Sequence, residues 1–164
     1  QQAVAETIEN NVRRKIIKEH LTDPAFFDNM SVLQEEIIKE RKANAISYEE
    51  YLKKIAALAQ KVNEGKSDAT PEELKTTAQR AIFNNLGQDL ELALKIDATI
   101  LDVKRDGWRG NRPKELEIKA AIYQTLKDYE PIGDSMTLGD PPVSYGLEKV
   151  VKRLFDIIVE QKEY

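Results

Sequence analysis

Few residues in this chain have types and spacings that could do chemistry. Gly65-Lys66-Ser67 matches the end of a phosphate-binding loop, where backbone amides and a lysine cradle a nucleotide. A complete loop needs a further glycine at position 60, where Gln60 stands, with a strand before it and a helix opening at the Lys-Ser pair. A helical pattern precedes it instead, so Gly65 reads as a helix stop. The triplets Glu117-Ile118-Lys119 and Glu160-Gln161-Lys162 carry residue types used by metal-dependent nucleases. Such a centre needs carboxylates converging on a cation with an open coordination position. Both triplets fall in helical patterns with no matching upstream aspartate, and they read as solvated faces. The pairs Glu35/Glu36 and Glu49/Glu50 lack a partner for acid–base work. A single histidine, His20, excludes a two-histidine zinc helix and suits a favourable charge position at a helix C-terminus. With no cysteine, disulfides and thiolate-bound metals are excluded as well. The expectation is no catalytic, cofactor-binding or metal-ligating residue.

Binding residues are more evident. Gly107-Trp108-Arg109-Gly110-Asn111-Arg112-Pro113 holds the only tryptophan, two of seven glycines and two arginines. Tryptophan and arginine are the side chains that most often anchor interfaces, while glycines allow tight turns. Trp108 equally suits a core plug between helices. Arg109, Asn111 and Arg112 need polar partners, which Glu115, the carbonyls ending the fifth helix or another subunit could supply. Basic residues cluster at Arg13, Arg14, Lys15 and Lys18, at Lys39, Arg41 and Lys42, and around the tryptophan at Lys104, Arg105 and Lys114. Late in helices these complement the macrodipole; gathered on one face they would contact phosphate or an acidic protein.

The elements that must position these residues are helical. Ile8, Val12, Ile16 and His20 recur every fourth residue, predicting a first helix over about 3–20. Asp23-Pro24 starts a second, through Phe26, Met30, Leu33, Ile37 and Arg41 to about Ala45. Ser47 and Glu50 form a capping box for a third, ended by Gly65. A second box, Thr70-Pro71-Glu72-Glu73, predicts a fourth helix to Gly87. A fifth spans about 89–105, a sixth 113–129 and a last 147–162. Residues 131–146 hold three of six prolines and three of seven glycines, predicting a long loop. The expected fold is all-α, an irregular bundle of about seven helices in one domain over 1–164, with the main bundle at 3–130.

At 164 residues the chain can bury roughly 70% of its unfolded surface, enough for a single core. A net charge of −4 argues against nonspecific nucleic-acid binding by the whole surface. Apolar runs are too short to span a membrane, and no signal peptide is visible, so a cytoplasmic location is expected. The Gln1-Gln2 start and the Tyr164 end, each beside a predicted helix, suggest a piece cut from a longer polypeptide.

Three segments carry a resemblance: Glu6-Thr7-Ile8-Glu9-Asn10-Asn11-Val12-Arg13, the run from Ile46 to Ile55, and Gly107-Trp108-Arg109-Gly110-Asn111 with Lys114-Glu115. In order and spacing they resemble the C-terminal helical region of the restriction (R) subunit of type I restriction-modification enzymes. The likeness spans about 6–130 and resumes in the last helix; residues 131–146 have no counterpart. It implies a noncatalytic domain that helps hold the R subunit on a methyltransferase core of modification and specificity subunits. The parent polypeptide would be an ATP-dependent translocase and endonuclease whose ATP and Mg sites lie in domains absent here. Other implied partners are the remaining domains of the same R subunit and duplex DNA, without a membrane. The expected contact residues are Trp108, Arg109, Asn111, Arg112, Glu115, Asn10, Asn11 and Arg13.

Overall fold

The computed structural model describes the backbone of residues 2–129 and 143–164 and the side chains of 3–129 and 146–164. Those residues form seven α-helices and one short 3-10 turn, with no strand among them. The protein is all-α, as the period of its apolar residues requires.

Where one core is expected, there are two. Contacts divide the chain between Thr70 and Pro71 into two compact units, each with its own apolar cluster. Unit one contains α1 (Gln2–Glu19), the 3-10 turn His20–Thr22, α2 (Pro24–Lys42) and α3 (Tyr48–Glu64). Each of its three helices packs against the other two. Val12 and Ile16 from α1, Phe26, Phe27 and Met30 from α2, and Tyr51, Ile55, Leu58 and Val62 from α3 fill the centre. Burying each large aliphatic side chain stabilises by about 1.5–3 kcal/mol, so this stripe alone explains why three helices cohere.

Helix ends follow local chemistry. Asp23 accepts the amide of Phe26 at 3.2 Å, with Pro24 opening α2. That helix stops at Lys42 rather than Ala45 because Asn44 adopts φ +56°. Asparagine tolerates this left-handed geometry, and the Ala45 amide returns to the Glu40 carbonyl at 2.9 Å. Ser47 caps α3 through the Glu50 amide at 3.2 Å, and Gly65 ends that helix at φ +71°. Gly65-Lys66-Ser67 is thus a helix C-terminus. His20 opens the 3-10 turn instead of closing α1, and its Nε2 lies 2.8 Å from Asp28 Oδ1.

Unit two contains α4 (Thr77–Asn85), α5 (Leu90–Val103), α6 (Arg112–Asp128) and α7 (Val143–Val159). They pack as a closed ring of neighbours: α4 on α5, α5 on α6, α6 on α7, and α7 back on α4. The fully buried Ile82, Ile96, Ile100, Ile118, Ile122 and Ile158 line its centre. The capping box expected at Thr70 does not open α4. The Thr70 hydroxyl is taken by the Ser67 amide at 3.0 Å, and a turn through Pro71 delivers Leu74 to the core. The capping box is Thr76-Thr77-Ala78-Gln79, with both reciprocal bonds formed. The last helix begins at Val143 rather than Leu147 and ends at Val159 rather than Lys162. Of the loop expected over 131–146, residues 131–142 lie outside the described residues and 143–146 belong to α7.

Candidate functional site

Two places concentrate polar chemistry, one in each unit. The first is the tryptophan loop between α5 and α6. Gly107 and Gly110 sit at φ +68° and +80°, a region open to glycine and strained for other residues. Between them the chain turns tightly enough to aim Trp108 inward and Arg109 along the surface. Trp108 is 2% exposed. Its Nε1 donates to the backbone oxygen of Tyr164 at 3.1 Å, and its ring meets Phe155 edge-on at 5.8 Å. Arg109 lies over the indole at 4.4 Å and donates through Nε to the Val159 carbonyl at 3.0 Å and through Nη2 to the Gln161 carbonyl. A helix leaves its last carbonyls without amide partners. Arg109 supplies donors to those at the end of α7, with a charge that favours that pole.

The remaining loop residues act on α6 and on the loop itself. Asn111 caps α6 by accepting the Lys114 amide at 3.1 Å, and Glu115 accepts the Gly110 amide at 2.9 Å. Lys114 Nζ donates to the Asp106 carbonyl at 2.7 Å. Arg112 is exposed at the start of α6. Trp108, Arg109, Asn111 and Glu115 therefore form a clasp within unit two: Trp108 is buried in it, and Arg109 and Asn111 stay exposed at its surface.

The clasp continues through residues that sequence reading missed. Tyr164 is 7% exposed and its hydroxyl donates to Asp97 Oδ1; Gln79 Nε2 donates to the other oxygen at 2.9 Å. Glu163 accepts the Ala78 amide at 3.3 Å at the start of α4. Asp97 stood within the apolar stripe Ala93, Ile96, Ile100, a signal of a paired buried acid. Nothing in the sequence named Tyr164 as its partner. The nuclease-like triplets keep Glu117, Glu160 and Lys162 exposed, as expected of solvated faces, around two buried residues. Ile118 is core, Glu117 pairs with Arg105 at 3.1 Å, Lys119 lies over the Phe155 ring at 4.6 Å, and Gln161 is buried beyond the helix end.

The second place is a cleft in unit one of about 430 Å³. Glu6, Glu9 and Arg13 reach it from α1, Ile38, Arg41 and Lys42 from the end of α2, and Tyr48 and Tyr51 from the first turn of α3. Of the α1 residues expected at a contact, Asn10, Asn11 and Arg13 are all exposed, and Arg13 also lines this cleft. Tyr51, 6% exposed, donates its hydroxyl to Glu9 Oε1. Arg41 lies 5.9 Å over the Tyr48 ring, and the two tyrosine rings meet edge-on at 6.4 Å. The Tyr48 hydroxyl is buried with no hydrogen-bond partner among the described residues. Spacings of three and four put Glu6, Glu9 and Arg13 on one helix face, and Arg41 and Lys42 stand in a basic cluster; the tyrosines of α3 had no sequence signal.

Both places hold tyrosines whose ionisation is suppressed. Burial first, then the hydrogen bond to Glu9, pushes Tyr51 up from 10.0; burial and Asp97 do the same to Tyr164. Tyr129, donating to Asp89 at 2.7 Å, is pushed up to about 12, chiefly by that bond. Below pH 10 these hydroxyls are neutral in both folded and unfolded chains, so their contribution is intact. As pH rises past 10 the unfolded chain ionises first, and each suppressed buried tyrosine costs up to about 1.4 kcal/mol per pH unit. Stability should therefore fall from pH 10 upward, and tyrosinate absorbance should appear together with loss of helical circular dichroism. Tyrosinate formation by the whole set near pH 10, with helicity kept, would contradict the buried pairings.

The described residues thus form a helical fold with a clasp in unit two and a charged cleft in unit one. None of its helices is long and apolar enough to cross a membrane. Comparison with protein-family models, curated proteins and solved structures finds no match.

Proposed function

We propose that the chain is a noncatalytic assembly domain of a type I restriction enzyme R subunit, docking the motor-nuclease subunit on the methyltransferase and specificity core. The observation that carries this assignment is the exposure of Asn10, Asn11 and Arg13 on α1, within one of the segments that resemble that family. Trp108 is buried and the exposed Arg109 is held by the end of α7, so docking falls to the α1 stretch and to the exposed Arg112. ATP and Mg chemistry would belong to other domains of the parent polypeptide, and no residue here is assigned to it. The cytoplasm follows from that role.

Full-length R subunit carrying Asn11→Ala, Arg13→Ala and Arg112→Ala should pull down the methyltransferase core more weakly. Interface anchors lose about 2 kcal/mol or more on truncation, roughly thirtyfold in affinity. ATPase activity should be kept. Unchanged affinity would remove these residues from the interface, and loss of ATPase with docking intact would make the domain a brace for its own motor. Exposed Ile17, Leu21, Val32, Leu101 and Leu116 suit either kind of protein contact.

A second reading, guidance of duplex DNA past the motor, is favoured by the meeting of Arg13, Arg41 and Lys42 at one cleft. It requires affinity for labelled duplex that falls steeply with salt. Glu6 and Glu9 in the same cleft weigh against it.

A further inference from the structure

The cleft of unit one brings together opposite charges that do not neutralise one another. Glu9 and Arg13 are one helical turn apart, a spacing at which such residues often pair. Yet among the described residues the ion pairs are His20–Asp28, Lys54–Glu40, Lys95–Glu91 and Arg105–Glu117, none of which lies in the cleft. Tyrosines explain the separation. Tyr51 holds one oxygen of Glu9 through its hydroxyl, and the Tyr48 ring carries the Arg41 guanidinium on its face. A guanidinium stacked on a ring keeps its planar fork of donors free for a carboxylate. Glu9 Oε2 and the exposed Glu6 remain as acceptors, and Ile38 adds an apolar wall.

The volume of about 430 Å³ falls within the roughly 300–1,000 Å³ common for small-molecule pockets. Charge selects among ligands. A simple anion meets two carboxylates, a simple cation meets Arg13, Arg41 and Lys42, and each suffers repulsion. A molecule bearing both charges satisfies both sets.

We propose that this cleft binds a small dipolar ligand of the free amino-acid class. Its carboxylate sits on Arg41 with support from Arg13 and Lys42, and its ammonium on Glu6 and the unused oxygen of Glu9. The site shares Arg13 with the proposed docking surface, so its test rests on Arg41 and Glu6, which the docking reading does not use.

The test is a chemical-shift titration of the isotope-labelled 164-residue chain with individual free amino acids, and with acetate and ethylammonium as the separated halves. At least one amino acid should give saturable shifts over residues 6–13 and 41–51, with a dissociation constant on the order of 1 mM or below. Acetate and ethylammonium should bind at least about tenfold more weakly. Arg41→Ala and, separately, Glu6→Gln should each weaken the amino acid about tenfold with helicity unchanged; Glu6 is exposed, so its conservative variant keeps the test valid should Arg41→Ala disturb the fold. No saturable shift from any amino acid overturns the proposal. So does acetate binding as tightly, which would make the cleft an anion site, or binding that neither substitution affects.

Discussion

Replacing Trp108 with alanine should destabilise unit two by about 3–5 kcal/mol, the usual cost of deleting a buried indole. The residue is 2% exposed against Phe155, and its Nε1 is a donor to the Tyr164 backbone. The substitution removes the packing and leaves that oxygen without its donor. It also removes the surface on which Arg109 lies. At this chain length each kcal/mol shifts a melting midpoint by about 2–4 °C, so a fall on the order of 10 °C is expected. Hydrogen exchange places the effect. Amides around Ile82, Ile96, Ile122 and Ile158 should lose protection while those around Ile55 and Leu58 keep theirs. Arg109→Ala should do the same more weakly, by about 1–2 kcal/mol, because its bonds are charge-assisted but exposed. Arg112→Ala, on the exposed first residue of α6, should leave the midpoint unchanged. A melting curve for Trp108→Ala that overlays the parent would show that the loop is not a clasp.

Asp97→Ala should cost about 3 kcal/mol, through the partners it abandons more than through its own loss. Asp97 is 7% exposed and accepts from both Tyr164 and Gln79. Without it two donors are left in a desolvated site, each costing about 1–3 kcal/mol. Tyr164→Phe in the Asp97→Ala background removes one of them and should recover part of the loss. The double-mutant cycle should thus give a coupling of about 1–3 kcal/mol between the two positions. Additive effects of the two substitutions would mean that the Tyr164 hydroxyl and Asp97 do not interact. Because Glu163 also reaches the start of α4, loss of this contact should loosen that short helix first.

Much of the local fold was legible. The apolar stripe Tyr51, Ile55, Leu58, Val62 on α3 is buried as its spacing demands. Asp23 and Ser47 were visible as caps ahead of helical patterns, and each accepts the amide three residues on; Asn111, expected at a contact, does the same for α6. Errors arose where two local signals looked alike. Thr70-Pro71-Glu72-Glu73 and Thr76-Thr77-Ala78-Gln79 both fit a helix start, and only the bond from Ser67 to Thr70 and the burial of Leu74 separate them. Arg41 lies on the helical period of α2 and also belongs to the basic cluster with Lys39 and Lys42; its place at the charged cleft follows the second of these signals.

The sequence by itself determined an all-helical chain, most of its helix ends, and a tryptophan loop with a task unlike that of its neighbours. Those are consequences of backbone hydrogen bonding and of a 3.6-residue period, which act over a few residues. Tertiary structure decided that the apolar residues divide into two cores, that Trp108 turns inward while Arg109 reaches the end of α7 along the surface, and that Asp97 meets Tyr164. Trp108 and the backbone of Tyr164 lie 56 positions apart, and Asp97 and Tyr164 lie 67 apart. No local rule relates residues so distant along the chain; they meet because four helices closed into a ring and the end of the last one needed donors.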